Sequence, residues 1–229
     1  MSQLALDLRA VAPPSLDNFV PGRNQECVGR LRRLAGGDRE WRFVYLWGLP
    51  GCGRSHLLRA LAGQGRLLGP GSPTHAFAFD ATCALYAADD VQAMDAERQH
   101  ALFHLFNQVQ ADPGAALVCA GDAPPLRLSV REDLRTRLGW GLVHELQLLC
   151  DDEKAAALRT VAAERGVVLS PDVVPWLLTH RARDMRALLE QFDALDRHAF
   201  ERKRPITLPL VREWLKQAGA RTTGASSGD

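Results

Sequence analysis

Eight consecutive residues, Gly48-Leu49-Pro50-Gly51-Cys52-Gly53-Arg54-Ser55, bring together three glycines, a cation and a hydroxyl. Glycines let a backbone curl until successive N–H groups converge on an anion, and a helix that follows adds the positive end of its dipole. The apolar run Phe43–Trp47 before the loop and His56–Ala62 after it predict strand, loop and helix, the context a phosphate-binding P-loop requires. Ser55 stands where a hydroxyl would ligate Mg²⁺, with Cys52 and His56 beside it in the turn. Arg54 occupies the place usually held by lysine. Its planar fork keeps the charge but slips between β- and γ-phosphates less readily than a compact ammonium. Nucleotide binding is therefore expected more strongly than efficient hydrolysis.

Other chemistry-bearing groups fall at the ends of apolar runs. Asp89-Asp90 closes the run Cys83–Ala88. Downstream of a P-loop such a strand delivers one carboxylate to the metal and a second that orients water. Asp122, in Gly121-Asp122-Ala123-Pro124-Pro125, follows the run Ala115–Ala120. Loops at the carboxyl ends of parallel strands line the ligand crevice, so Asp122 either reaches a γ-phosphate water or caps a turn. Arg135 and Arg137 stand just before Gly139-Trp140-Gly141. They suit an arginine finger that neutralises charge on a neighbour's phosphate, and equally a solvated basic turn. Arg186 opens a helix, where the macrodipole disfavours a cation, which hints at a use toward bound nucleotide. Glu97, His100 and His104 share a helix face but lack a further ligand, and Phe103 and Phe106 pack among them, so no metal site is expected.

The elements that must position these groups read as an α/β domain followed by helices. The chain has 229 residues, 46% of them hydrophobic, and a formal charge of +1, which advertises neither nucleic acid nor a membrane surface. Five scattered cysteines, odd in number and without a C-x-x-C pair, argue for a reducing cytoplasm and against zinc or a disulfide framework. No secretory signal or membrane-spanning run is expected. Residues 1–16 read as a flexible tail and 17–149 as a nucleotide-binding domain with a mostly parallel sheet. Helices are expected near Asn24–Ala35 and over 95–110, and strands at Phe43–Trp47, Ala115–Ala120 and Leu142–Leu148. Two further runs, His75–Phe79 and Cys83–Ala88, stand too close for a parallel crossover, so an antiparallel pair or a short irregular edge is expected. Residues 150–218 carry four amphipathic helices, the last at Val211–Ala218, and read as a small all-helical lid. Residues 219–229 are polar and expected to be disordered.

Taken together, Leu16-Asp17-Asn18-Phe19, the P-loop, Asp89-Asp90, Gly121-Asp122, Arg137 before Trp140-Gly141, and Arg186 resemble the DnaA-like AAA+ family. The likeness covers roughly residues 15–218. The chain ends before the helix-turn-helix that the initiator DnaA carries. That, the short tail and Gly53-Arg54-Ser55-His56-Leu57 make it similar to the Hda-type regulatory inactivators of DnaA within that family. The resemblance implies an AAA+ P-loop core with a helical lid, and bound ADP or ATP, with Mg²⁺ on Ser55 and Asp89. Gly48, Gly51, Cys52, Gly53, Arg54, Ser55 and His56 would surround the phosphates, and Asn18, Phe19 and Val20 would lie by the adenine. Asp89 and Asp90 would face metal and water, Asp122 would be a first sensor and Arg186 a lid sensor. Arg137, or Arg135 in its place, would be a finger supplied in trans. Gln3-Leu4-Ala5-Leu6-Asp7-Leu8 resembles the peptides that dock bacterial proteins on the sliding clamp, the β subunit of DNA polymerase III. There the Gln3 amide would hydrogen-bond while Leu4, Leu6 and Leu8 fill an apolar groove. The implied partners are DnaA and the clamp, with DNA reached mainly through the clamp, no membrane, and room for a homo-oligomer. The implied place is the cytoplasm, at the nucleoid. The implied function is to prevent re-initiation by stimulating ATP hydrolysis in DnaA. An autonomous AAA+ ATPase, a helicase loader or remodelling subunit, is the alternative that the intact Asp89-Asp90 and Ser55 keep open.

Overall fold

The computed structural model describes residues 13–63, 65–180 and 184–224, with side chains through residue 217. They fall into two units, residues 13–148 and the residues from Leu149 onward.

Five parallel strands form the sheet of the first unit: β1 (Phe43–Trp47), β2 (Arg66–Leu68), β3 (Leu85–Ala88), β4 (Ala116–Gly121) and β5 (Leu142–Glu145). Their order is β2-β3-β4-β1-β5, so the strand that enters the P-loop is flanked on both sides. Its side chains alternate between faces, as the pleat requires. Val44 and Leu46 join one core with Val28 and Leu31 of α1 (Gln25–Ala35) and Leu57, Leu58 and Leu61 of α2 (Arg54–Ala62). Tyr45 points into the other core, with Leu102, Leu105 and Phe106 of α3 (Ala96–Ala111) and Leu134 and Leu138 of α4 (Glu132–Leu138). Burial on both faces explains why β1 and β4 read as continuous apolar runs. Each fully buried leucine or valine contributes roughly 1.5–3 kcal/mol to that arrangement.

Helix α3 is fixed at both ends. The Asp95 carboxylate accepts from Arg98 N–H at 2.9 Å at its start. At its finish the Arg42 guanidinium donates to the carbonyls of Val109, Gln110 and Asp112 at 2.6, 2.8 and 2.7 Å.

One sheet edge corrects the expectation. His75–Phe79 is no strand: Thr74–Phe77 is a 3₁₀ turn that buries Phe77. On its outer side β3 pairs with β2, a three-residue edge strand parallel to it. A three-residue strand is too short to display alternation, so nothing in the pattern marked it. The connection over residues 69–84 exceeds the dozen or so that a parallel crossover needs. Tyr86 pins that connection, its hydroxyl donating to Asp80 O and accepting from Asp80 N–H at 2.9 and 2.7 Å.

The second unit comprises α5 (Asp151–Glu164), α6 (Val173–His180), α7 (Met185–Arg202) and α8 (Leu208–Gly224) around Leu158, Leu177, Leu188, Phe192, Leu195 and Leu210. Glu153 accepts from Cys150 N–H at 2.8 Å and closes the first turn of α5. Helix α8 differs from the expectation at both ends. It starts at Leu208, with Pro209 in a first turn that needs no N–H from it, and runs to Gly224, past residue 218. Polar composition there does not register a helix already propagating from a buried start.

Candidate functional site

The P-loop closes on itself through Cys52 N–H, which donates to Leu49 O at 3.1 Å. Gly51 and Gly53 take φ of +87° and +98°. Gly53 is the N-cap of α2, and a Cβ there would stand 2.5 Å from Cε2 of Phe19. Glycine is thus required twice at that position, for the left-handed backbone and for the close approach of a buried ring. Arg54, Ser55 and His56 occupy the first turn of α2, whose unpaired N–H groups and dipole face the loop. The Cys52 thiol is buried and pushed upward by loss of solvation, so it acts as loop packing.

Phe19 and His56 meet with ring centroids 5.4 Å apart. The Ser15 carbonyl lies 2.9 Å from His56 Nε2, and because a carbonyl only accepts, Nε2 carries the proton. Burial lowers the imidazole pKa, against the raising effect of that hydrogen bond. Ser15, expected in the free tail, is therefore anchored to the P-loop helix. Asn18 is engaged within its own segment: its Oδ1 accepts from Ser15 N–H at 2.8 Å and its Nδ2 donates to Pro13 O at 2.9 Å. Val20, also expected by the adenine, is partly buried next to Phe19 in sequence.

Strand ends bring the remaining groups of this unit together. One guanidinium N–H of Arg54 donates to the carbonyl of Gly121, the last residue of β4, directly before Asp122. The Tyr45 hydroxyl donates to Ala123 O at 2.8 Å and so fixes the loop that carries exposed Asp122. Burial, then the nearby Cys119 and Asp122, push that phenol well above its ordinary range. Asp90 adopts φ of 49° without being glycine, a conformation that persists only where surroundings hold it. Asp89 Oδ1 accepts from Asp90 N–H at 3.0 Å, and Asp90 Oδ1 accepts from Gln92 Nε2 at 3.3 Å. The Gln92 Oε1 atom is buried without a partner, and a Cβ on Gly121 would approach it to 3.2 Å. The sequence pattern does not mark Tyr45 or Gln92 as site residues. Tyr45 reads as one more core residue of an apolar strand, and the signal for Gln92 is its place two residues after Asp90.

The two arginines before β5 differ. Arg137 lies in the last turn of α4 with its guanidinium stacked on Trp140, whereas Arg135 makes no ion pair or side-chain hydrogen bond among the described residues. Arg186, in the second unit, is 78% exposed and pairs with Glu190 at 2.9 Å. Glu97 accepts from Thr74 at 3.1 Å, and the rings of His100 and His104 bond to each other at 2.9 Å. Gln3, Leu4, Leu6 and Leu8 lie outside the described residues.

The residues present fit a nucleotide phosphate chain. Gly51 and Gly53 supply a turn at positive φ, with no room for a Cβ at Gly53, α2 supplies N–H donors, and Arg54 and Ser55 supply a cation and a hydroxyl. A parallel sheet ordered β2-β3-β4-β1-β5, with the P-loop after β1, acidic residues after β3, a polar loop after β4 and four helices beyond, defines an AAA+ P-loop module.

Comparisons with known proteins narrow the class. Residues 151–215 match the family model for the Hda lid domain. An uncharacterized protein of Haemophilus influenzae is 32% identical over 227 residues, covering 93% of this chain and 98% of that one. Domain III of Thermotoga maritima DnaA superposes with a TM-score of 0.73 at 19% identity, covering 91% of this chain and 98% of that chain. DnaA of Aquifex aeolicus, solved bound to AMPPCP, gives 0.66 at 20% identity over 82% of this chain and 66% of that one. The chain belongs to the Hda-like group of DnaA-related AAA+ proteins. Among the described residues no helix is long and apolar enough to cross a membrane.

Proposed function

We propose that this chain, with ADP bound, docks on the DNA-loaded sliding clamp and makes ATP-bound DnaA hydrolyse its nucleotide, so that initiation is not repeated. The observation that carries this reading is Arg137: a guanidinium at the end of α4 with a shielded N–H group that has no hydrogen-bond partner. Such a donor suits an acceptor brought by another molecule, and a γ-phosphate in a neighbouring AAA+ subunit is an acceptor of the right charge.

Within this chain, Gly51, Gly53, Arg54 and Ser55 hold the phosphates, and Ser55 with Asp89 would take a magnesium ion through few protein ligands, as that ion prefers. A bound nucleotide would supply the negative charge that the loop N–H groups and Arg54 are placed to meet. Phe19 and His56 close the loop from the side of the entry segment. Arg54, drawn to the Gly121 carbonyl, keeps its charge near the site, and its broad fork favours retention of nucleotide over turnover. Gln3, Leu4, Leu6 and Leu8 form the clamp-docking peptide, and Arg186 reports nucleotide state from the lid. A second reading, an autonomous ATPase, is favoured by the constrained Asp89-Asp90-Gln92 turn, which can orient a water.

The test is single-turnover hydrolysis of ATP by DnaA, with and without this protein and DNA-loaded clamp. Arg137→Ala should keep ADP affinity and lose about 10³–10⁵-fold of the stimulation it can give, down to the unstimulated rate. Full stimulation by that variant overturns Arg137 as the finger and moves the role to Arg135. Sustained turnover by this protein alone would select the second reading.

A further inference from the structure

The surroundings of Arg137 are aromatic on several sides. Its guanidinium carbon lies 3.9 Å from the Trp140 ring centroid, and 5.8 and 5.9 Å from those of Phe103 and Phe106 on α3. Trp140 N–H donates to Arg137 O at 3.1 Å, which folds residue 140 back over residue 137. Phe106 meets Trp140 edge-on, with centroids 6.3 Å apart, and so buttresses the indole from the helix side. Trp140 is nevertheless 56% exposed, a large apolar surface left facing outward. The Arg137 Nη1 atom, by contrast, is shielded from solvent and finds no acceptor.

These features do not suit a merely solvated arginine. A long cationic side chain at a helix end would normally extend so that each N–H meets water. Here one N–H group forgoes water, and stacking on the indole face is the compensation. The two contributions oppose each other, so the stacked position is easily left when a stronger acceptor arrives. Stacking also confines a rotamer-rich side chain to few orientations, which lowers the entropy lost when it engages.

We infer that Trp140 is a positioning residue: it holds the Arg137 guanidinium stacked and oriented until the phosphate of an ATP-bound partner offers acceptors. This rests on the reading of Arg137 as the finger. Trp140 acts through Arg137, and Phe106 keeps the indole plane in place.

Two measurements decide it. In protein labelled with ¹⁵N-arginine and free of partner, the Arg137 Nε–Hε signal, assigned by its loss in Arg137→Lys, should be shifted upfield by the indole ring current. Trp140→Leu should return it to the position of the other arginines, and Trp140→Phe should keep part of the shift. An unshifted signal in the parent overturns the inference whatever the role of Arg137. In the DnaA hydrolysis assay, Trp140→Leu should lower the maximal stimulated rate about tenfold. The protein concentration giving half-stimulation should stay within about twofold, and Trp140→Phe should recover most of the rate. An unchanged maximal rate, or a shift confined to the half-stimulating concentration, overturns positioning and makes Trp140 a plain contact residue. Should Trp140→Leu melt early, the Phe variant carries the test, and its failure to exceed the rate of the Leu variant counts against the inference. Full activity of Arg137→Ala, by comparison, removes the finger reading itself while leaving the ring-current result standing.

Discussion

At Gly53, backbone and packing make the same demand. With φ of +98° and a Phe19 ring atom 2.5 Å from where a Cβ would lie, alanine must both strain the turn and push Phe19 aside. Gly53→Ala should therefore weaken ADP binding at least about 100-fold by calorimetry and lower stability by about 1–3 kcal/mol. Binding at parental affinity would show that phosphates are held elsewhere. His56 supplies a pH dependence. Burial outweighs the Ser15 hydrogen bond and depresses the imidazole below its ordinary pKa. Below about pH 6.5 the unfolded chain takes up a proton that the folded chain refuses, so stability is full above that pH. It falls as pH drops, and levels off once the folded imidazole also protonates. His144 shifts the same way through burial, while the lowered carboxyls of Asp80 and Asp133 act only in the more acidic carboxylate range. His56→Gln keeps a donor for Ser15 without a titration, and should flatten the loss of urea stability between about pH 7 and 5. An unchanged slope would assign the loss to His144. At this scale the motif residues were legible because their chemistry demands fixed spacing. Gln92 and Tyr45 were not, since their roles depend on strand ends meeting across the sheet.

Among the elements, α3 depends on a single side chain for its exit. Arg42 donates to three carbonyls at its carboxyl end, where a cation also meets the negative pole of the helix. Arg42→Ala should cost about 1.5–3 kcal/mol in urea unfolding, the range for hydrogen bonds to a charged group. Arg42→Lys should recover only part of it, because a point charge cannot span three acceptors. A change below about 0.5 kcal/mol would mean that water replaces the guanidinium without penalty. The legible elements were those with enough buried length: β1 and β4 read as unbroken apolar runs, and α1 and α3 show helical spacing within their own residues. β2 carries three residues and derives its identity wholly from pairing with β3, which no local pattern encodes. His75–Phe79 misled for the converse reason. It is apolar because Phe77 is buried, and a 3₁₀ turn buries a phenylalanine as well as a strand does.

For the molecule as a whole, the two units have separate hydrophobic clusters, so one cooperative unfolding transition need not describe both. Phe192 is 1% exposed at the centre of the helical cluster. Phe192→Ala should cost that unit about 3–5 kcal/mol. In hydrogen exchange, amides of α5 to α8 should lose protection while those of β1 and β4 keep theirs. Equal loss in both would show a single cooperative unit. The strand order has another consequence, in time. β1 is made early, yet Phe43 pairs with Leu117 and Val44 with Leu142. A ribosome adding about 5–20 residues per second completes the stretch from Phe43 to Leu117 in roughly 4–15 s. Throughout that interval Phe-Val-Tyr-Leu-Trp has neither neighbour, and the nascent chain carries an all-apolar strand unpartnered until the second half of the sheet has emerged.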